Sequence, residues 1–217
     1  MIKVIVFDFD GVLVDSNRIK HDAWYDVFGD LPEEEKRVAF EVFPKVEVRT
    51  RYVILDEVFK ALGRPEDKRK ELVQINAAKY NAITQAGISR YGLIEGAREL
   101  LEDFSKKYHL YLNSSTPIEA LNETVDMLGI RGFFSGIYGR PDTKESALEK
   151  IFAKEKVSGS EVVFVGDADF DRNAAAAFDC FFIGIRNDFN GWTENEEFVT
   201  VASVRDVAEI IEQTRFR

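Results

Sequence analysis

The sequence predicts an α/β protein, a Rossmann-like parallel sheet core with a helical cap inserted after the first strand. Three observations carry this. A β-branched and aromatic run from Lys3 to Phe7 opens the chain and reads as a buried strand. From Asn17 to about Ser89 the apolar spacing is helical throughout. Past Tyr91 short apolar runs alternate with amphipathic stretches, the pattern of strands and helices in a parallel sheet covered on both faces. The division expected from these shifts is an α/β core of residues 1–16 and 90–217 and a helical cap of residues 17–89, with hinges near Asp15 to Asn17 and Ser89 to Glu95.

Taken in order, Ile19, Ala23 and Val27 recur every four residues, and Asp15 or Ser16 can cap that helix. Leu55, Val58, Phe59 and Leu62 mark a helix that stops at Gly63, and another covers Glu66 to Gln85 and stops near Gly87. Ala97, Leu100, Leu101, Phe104 and Tyr108 give an amphipathic helix, followed by a strand, LYLNSS, from Leu110. A helix with Leu121, Val125 and Leu128 ends at Gly129, and GIYG from Gly136 is the third strand. Ala147, Leu148, Ile151 and Phe152 mark the next helix, VVFVGD from Val162 the fourth strand and FFIGI from Phe181 the fifth. FVTVA is a candidate sixth strand before a last helix with Val204, Val207, Ala208 and Ile211.

A chain of 217 residues with 45% hydrophobic content can bury a full core, as one large domain or two small ones. Its formal net charge of −10 disfavours nucleic acid and acidic membranes as partners. No apolar run approaches the roughly 20 residues of a membrane span. Strand-like residues begin by Lys3 without a basic leader, and the single cysteine, Cys180, forms no internal disulfide, so a reducing, cytoplasmic location is expected. The glycosylation sequon at Asn122 lies in a helical pattern and carries little weight.

The first strand runs directly into two aspartates, VFDFDGV, with Asp8 and Asp10 one residue apart. Two like charges at the end of a buried strand repel, and desolvation raises the cost. An EF-hand loop fails on spacing, because Gly11 directly follows Asp10 and Val12 and Val14 occupy later ligand positions. An exposed turn with two solvated aspartates is the plain alternative. The fourth strand also ends in acids, GDADFD, with Asp167, Asp169 and Asp171. Taken alone, that stretch is a polar loop capping the next helix. Ligands bind beyond the carboxyl ends of such strands, so both sets share one crevice. Four or five carboxylates there require a cation, and an oxygen-only donor set suits Mg2+.

Ser114, at the end of LNSS, can donate to a phosphate oxygen, and Thr116 and Pro117 can open the following helix. A plain N-cap is the commoner use of such a serine. In GRPDTKES, Lys144 begins a helix, where a cation opposes the dipole. A positive charge fixed beside the acids would explain that placement; an exposed lysine is the alternative. Asp142 and Glu145 fit a capping box.

In this order the four pieces resemble the haloacid dehalogenase superfamily of phosphohydrolases. Its pattern is a DxDG start followed by L-x-D-S, a strand-ending Ser or Thr, a lysine, and GDxxxD; this chain reads DFDGVLVDS, LNSS, a lysine in GRPDTK, and GDADFD. The resemblance spans the whole chain, and the first motif is similar to the phosphoglycolate phosphatase and β-phosphoglucomutase branch. It implies Asp8 as the nucleophile that forms an aspartyl-phosphate and Asp10 as general acid and then base. It implies Mg2+ held by Asp8, the Asp10 backbone carbonyl and Asp167, with Asp171 helping directly or through water. Ser114 and the Ser115 amide would hold phosphate oxygens, and Lys144 would bridge Asp8 and phosphate.

The chain departs from that pattern in two places. Relatives often read TNK where it has SST, and GKPxPD where it has GRPDTK. Either Arg140 or Lys144 could therefore supply the cation; Lys144 is favoured, because some relatives shift the lysine along. Arg49 and Arg51 lie where some relatives place a phosphate- or sugar-contacting arginine, although a solvated or salt-bridged arginine is the commoner case. Trp24 and Phe28 read as cap core, Cys180 as buried filler, and His21 and His109 as ordinary surface or core residues. The expected activity is Mg2+-dependent hydrolysis of small phosphomonoesters by a monomer or homodimer. The rivals are a phosphomutase of the β-phosphoglucomutase type and a non-catalytic binding protein on the same scaffold.

Overall fold

A computed structural model describes residues 1–46 and 50–214 of the chain. In chain order, β1 (Val4–Phe7) is followed by α1 (Ser16–Phe28), α2 (Glu33–Val42), α3 (Arg51–Ala61) and α4 (Glu66–Tyr91). Then come α5 (Ala97–Phe104), β2 (His109–Pro117), α6 (Ile118–Met127), β3 (Phe134–Arg140) and α7 (Lys144–Glu155). The chain continues through β4 (Val162–Gly166), α8 (Asp169–Ala177), β5 (Phe181–Ile185), β6 (Val199–Val201) and α9 (Val207–Thr214). Two compact units result: Met1–Asn17 together with Tyr91 onward, and Arg18–Arg90.

The first unit is built on a parallel sheet with strand order β3-β2-β1-β4-β5-β6 among the described residues. Helices on both faces leave no side of a central strand for water, which is why β1 and β4 are apolar at every position and fully buried. β1 is central: Phe7 pairs with Leu112 of β2 on one side and Val165 of β4 on the other. The chain fills one half of the sheet before β4 returns to the far side of β1. That reversal is the switch point beside which α/β sheets bind ligands, and β1, β2 and β4 end there.

The second unit is helical and held by an aromatic core. Trp24 lies 4.3 Å from Tyr80 and 5.9 Å from Phe28, ring centre to ring centre, and Phe43, Leu55 and Phe59 complete the packing. Large rings bury much apolar area per residue, which suits so small a core. In α3, Thr50 caps the first turn by accepting from the Val53 amide at 3.3 Å, and Ile54, Leu55, Val58 and Phe59 form its buried face.

Two sequence expectations are corrected here. α4 does not stop near Gly87 but runs to Tyr91, ahead of Gly92 with φ +71°. Gly87 serves packing instead, since a Cβ there would come within 2.6 Å of the Ile19 side chain. The capping box of α7 pairs Thr143 with Ser146, not Asp142 with Glu145: the Thr143 hydroxyl accepts from the Ser146 amide at 3.1 Å, and the Ser146 hydroxyl accepts from the Thr143 amide at 3.0 Å. Asp142 instead pairs with Lys150 at 2.6 Å.

Candidate active site

The site is assembled by the ends of adjacent strands in the sheet unit. Asp8 directly follows β1 and Asp167 directly follows β4, and the pairing of Phe7 with Val165 brings the two together. Asp171 joins them from the first turn of α8, where its Oδ2 accepts from the Ala168 amide at 3.1 Å and the Asp167 amide at 3.3 Å. One oxygen from each of Asp8, Asp167 and Asp171 lies within 4.8 Å of the others, and all three residues are buried.

Lys144, the first residue of α7, turns its side chain into this cluster rather than into solvent. Its Nζ lies 2.7 Å from Asp8 Oδ1 and 2.9 Å from Asp171 Oδ1, and it donates to the Asn113 carbonyl oxygen. The Asn113 amide returns a bond of 2.9 Å to the Lys144 carbonyl, so the middle of β2 and the start of α7 hold each other. These contacts offset the unfavourable helix-end position of the lysine.

Three negative charges against one positive leave the cluster unbalanced. Burial, reinforced by the charge of Asp171, pushes the Asp8 carboxyl well above the ordinary range against the pull of Lys144. Burial, again with Asp171, raises Asp167 to about 6 although two side-chain amides favour its ionised form. For Lys144, burial favours the neutral amine, but the close charges of Asp171 and Asp8 outweigh it and hold the ammonium above its usual value. Among the described residues no aligned hydrogen bond reaches Asp171 Oδ1, which meets Lys144 as an ion pair alone. An oxygen-only donor set with surplus negative charge and an under-satisfied buried oxygen fits a hard divalent cation.

Asp10 is held differently. Its Oδ1 accepts from the Ser16 hydroxyl and its Oδ2 from the Thr116 hydroxyl at 2.9 Å, so its side chain is engaged apart from the three clustered acids. The turn between Asp8 and Ser16 requires Gly11, whose φ is +77° and where a Cβ would lie 2.0 Å from Asp167 Oδ2.

The other residues singled out from the sequence fall as follows. Ser114 is buried within β2 but does not end it, since the strand runs on through Thr116 and Pro117 and the helix opens only at Ile118; its hydroxyl accepts from the Thr116 amide at 3.1 Å, and Ser115 is exposed beside it. Arg140 ends β3 with its side chain exposed. Arg49 lies outside the described residues. Arg51 stacks over the Tyr80 ring at 5.5 Å within the helical unit. Asp169 is exposed and pairs with Arg172 at 3.1 Å, away from the acidic cluster's internal contacts. Cys180 is half-buried rather than buried, packing against the sheet's aromatic cluster, and desolvation pushes its thiol up to about 12. His109 faces Glu155 at 2.7 Å, and His21 packs on Tyr25 and Phe43.

Several participants escaped the sequence reading: Asn113, Ser16, Asn17, Asn187, Asn190 and the hydroxyl role of Thr116. Asn17 and Asn187 both donate to Asp167 Oδ2, at 2.6 and 2.7 Å. Their signal was position. RNDFNG directly follows β5, at the same sheet edge as the acids, and polar residues there are candidates for the crevice whatever their motif.

The chain matches the family model of haloacid dehalogenase-like hydrolases over residues 2–179. It is similar to a candidate β-phosphoglucomutase from Thermotoga maritima, with TM-score 0.74 and 18% identity, covering 98% of this chain and 99% of that one. It is similar to a predicted phosphoglycolate phosphatase from Haemophilus somnus, with TM-score 0.71 and 19% identity over 97% and 98% of the two chains. The candidate hydrolase YfnB from Bacillus subtilis, solved with magnesium bound, aligns with TM-score 0.72 and 16% identity over the same shares, 97% and 98%. No curated protein matches the sequence significantly. At these identities the solved structures speak for the fold, and the family model, spanning most of the sequence, gives the assignment: the chain belongs to the haloacid dehalogenase-like hydrolases.

Proposed function

We propose that the protein is a Mg2+-dependent phosphohydrolase of small phosphomonoesters that works through an aspartyl-phosphate on Asp8. The observation that carries this reading is the contact of the Lys144 ammonium with both Asp8, at 2.7 Å, and Asp171, at 2.9 Å, inside a group of three buried carboxylates. A carboxylate is a poor nucleophile towards an anionic phosphate because like charges repel. Lys144 lowers that repulsion at the attacking oxygen and stays charged throughout. Asp8, Asp167 and Asp171, with the Asp10 backbone carbonyl, would hold the metal ion, which when bound supplies positive charge for the phosphoryl oxygens. Asp10, whose carboxyl accepts from Ser16 and Thr116, would give a proton to the leaving oxygen and later take one from water, a role worth about 10²–10⁴-fold in rate. Ser114 and the Ser115 amide would receive the phosphate oxygens, and Arg140 and Arg49 would serve as outer substrate contacts. The helical insert would act as the cap that selects the substrate.

The test uses p-nitrophenyl phosphate with free phosphate as the readout and a 2-haloacid as the counter-substrate. Wild-type protein should release phosphate in Mg2+, stop in EDTA and recover when Mg2+ is restored. Asp8→Asn should lose at least about a thousandfold in turnover while keeping the wild-type circular dichroism spectrum. Wild-type rates from Asp8→Asn, or full activity in chelator, would refute the nucleophile or the metal respectively. Halide release without phosphate release would move the chain to dehalogenation. A sugar monophosphate assayed with and without a bisphosphate primer separates hydrolysis from phosphoryl transfer to a second hydroxyl.

A further inference from the structure

We infer that the loop after β5, acting through Asn187 and Asn190 and together with Asn17, sets the presentation of Asp167 and thereby tunes the affinity of the site for its divalent cation. The inference rests on the reading of Asp167 as a cation ligand. Nothing in the family motifs requires these asparagines; the geometry points to them.

Asp167 Oδ2 accepts two side-chain amides, Asn17 Nδ2 at 2.6 Å and Asn187 Nδ2 at 2.7 Å. Two good donors occupy that oxygen, so Oδ1 is the atom left to meet a cation. The backbone is fixed as well: Asn190 Nδ2 donates to the Asp167 carbonyl at 2.9 Å and to the Ile185 carbonyl at 2.8 Å, tying the ends of β4 and β5 together. The two asparagines then fold the loop onto itself. Asn187 Oδ1 accepts from the Phe189 amide at 2.8 Å and the Asn190 amide at 3.2 Å, while Asn190 Oδ1 accepts from Asn187 and Trp192. The Trp192 ring packs edge-on against Phe182 at 6.0 Å and against Phe198 at 5.1 Å, anchoring the loop to β5. Side chains that orient a metal-binding carboxylate through one oxygen typically change metal affinity about 10–100-fold when lost. Asn187 and Asn17 are therefore positioning residues; they act on the cation through Asp167.

Two variants test this with different structural consequences. Asn187→Ala removes the donor facing Asp167, together with the oxygen that receives the Phe189 and Asn190 amides, without adding charge to the site. Asn17→Ala deletes the other donor in the first turn of α1, where alanine is well tolerated. Full-length wild type and both variants are titrated with Mg2+ by calorimetry, with thermal melts in EDTA to verify folding. Each variant should bind Mg2+ about tenfold or more weakly, and the Mg2+ concentration for half-maximal phosphatase activity should rise by the same factor. If Asn187→Ala does not fold, Asn17→Ala decides. Folded variants that bind Mg2+ as tightly as wild type would overturn this inference alone. A wild type that takes up no Mg2+ would overturn it together with the metal reading of the site.

Discussion

Lys144 shows how much of a site can hang on one charge. Its ammonium reaches Asp8, Asp171 and the Asn113 carbonyl at once from an almost fully buried position. Removing one partner of a buried ion pair generally costs about 3–5 kcal/mol, because the other charge stays buried and uncompensated. Here the loss is eased because burial already pushes Asp8 towards its protonated form. Lys144→Met should therefore lower the melting temperature in EDTA, and added Mg2+ should stabilise the variant more than it stabilises wild type, since Asp8 and Asp171 then depend on the cation for the positive charge the lysine supplied. Turnover should not return with Mg2+, because the metal does not replace the charge at the attacking oxygen. Lys144→Arg should fail to rescue: a planar guanidinium does not fit a pocket in which one compact Nζ bonds Asp8 and the Asn113 carbonyl while lying against Asp171. Differential scanning calorimetry with and without Mg2+ checks the first pair of outcomes, and steady-state kinetics the second. Equal Mg2+ stabilisation of variant and wild type would show that lysine and cation do not share the same carboxylates.

Elements explain why the acids meet and why some of their partners were hidden. The strands of the core were legible because a two-sided buried strand leaves a plain trace, an unbroken apolar run such as VIVF or VVFVG ending in a polar residue. Asp8 and Asp167 were legible for the same reason, as charges abutting such runs. Helix ends were less so: Gly87 resembles a stop, but only the neighbouring Ile19 side chain reveals that it is a packing glycine inside α4. The capping box of α7 was misplaced by one residue because Asp142 and Thr143 are both good caps, and the choice depends on Lys150 drawing Asp142 away. The pairing of the amide and hydroxyl partners with particular acids was harder to read for a deeper reason. Asn17 and Asn187 meet at Asp167 from segments 170 positions apart, and Ser16 and Thr116 meet at Asp10 from segments 100 apart. No local spacing encodes that; only the parallel register, which places the ends of β1, β2, β4 and β5 along one edge, brings them together.

For the whole molecule, the unbalanced cluster gives the metal-free protein an unusual response to pH. Asp30, Glu33, Asp126 and Glu161 are held below their ordinary values by hydrogen bonds from Lys79, Lys36, Arg131 and Lys3, Glu161 to about 2. A carboxyl with a depressed folded value contributes stability that is complete above its unfolded value and is lost only as pH falls below that, so these four change little above about pH 5. Asp8 and Asp167 are shifted the other way, Asp167 to about 6. A carboxyl with a raised folded value binds its proton more tightly in the native state, so it costs stability at neutral pH and the cost is relieved as pH falls through the folded value towards the unfolded one. From about pH 7 to pH 5 the raised acids therefore govern, and the EDTA-treated protein should become more stable as the solution is acidified. Asp167 alone gives roughly 1 kcal/mol over that window, a rise of about 2–4 °C in melting temperature for a chain of this size. Asp167→Asn should flatten the response by removing the titrating group. Saturating Mg2+ should also reverse its sense, since protons compete with the cation for the same oxygens. Melting temperatures in EDTA that stay level or climb between pH 5 and pH 7 would mean that the three carboxylates do not crowd one another in the folded protein, and the electrostatic case for a cation among them would lose its foundation.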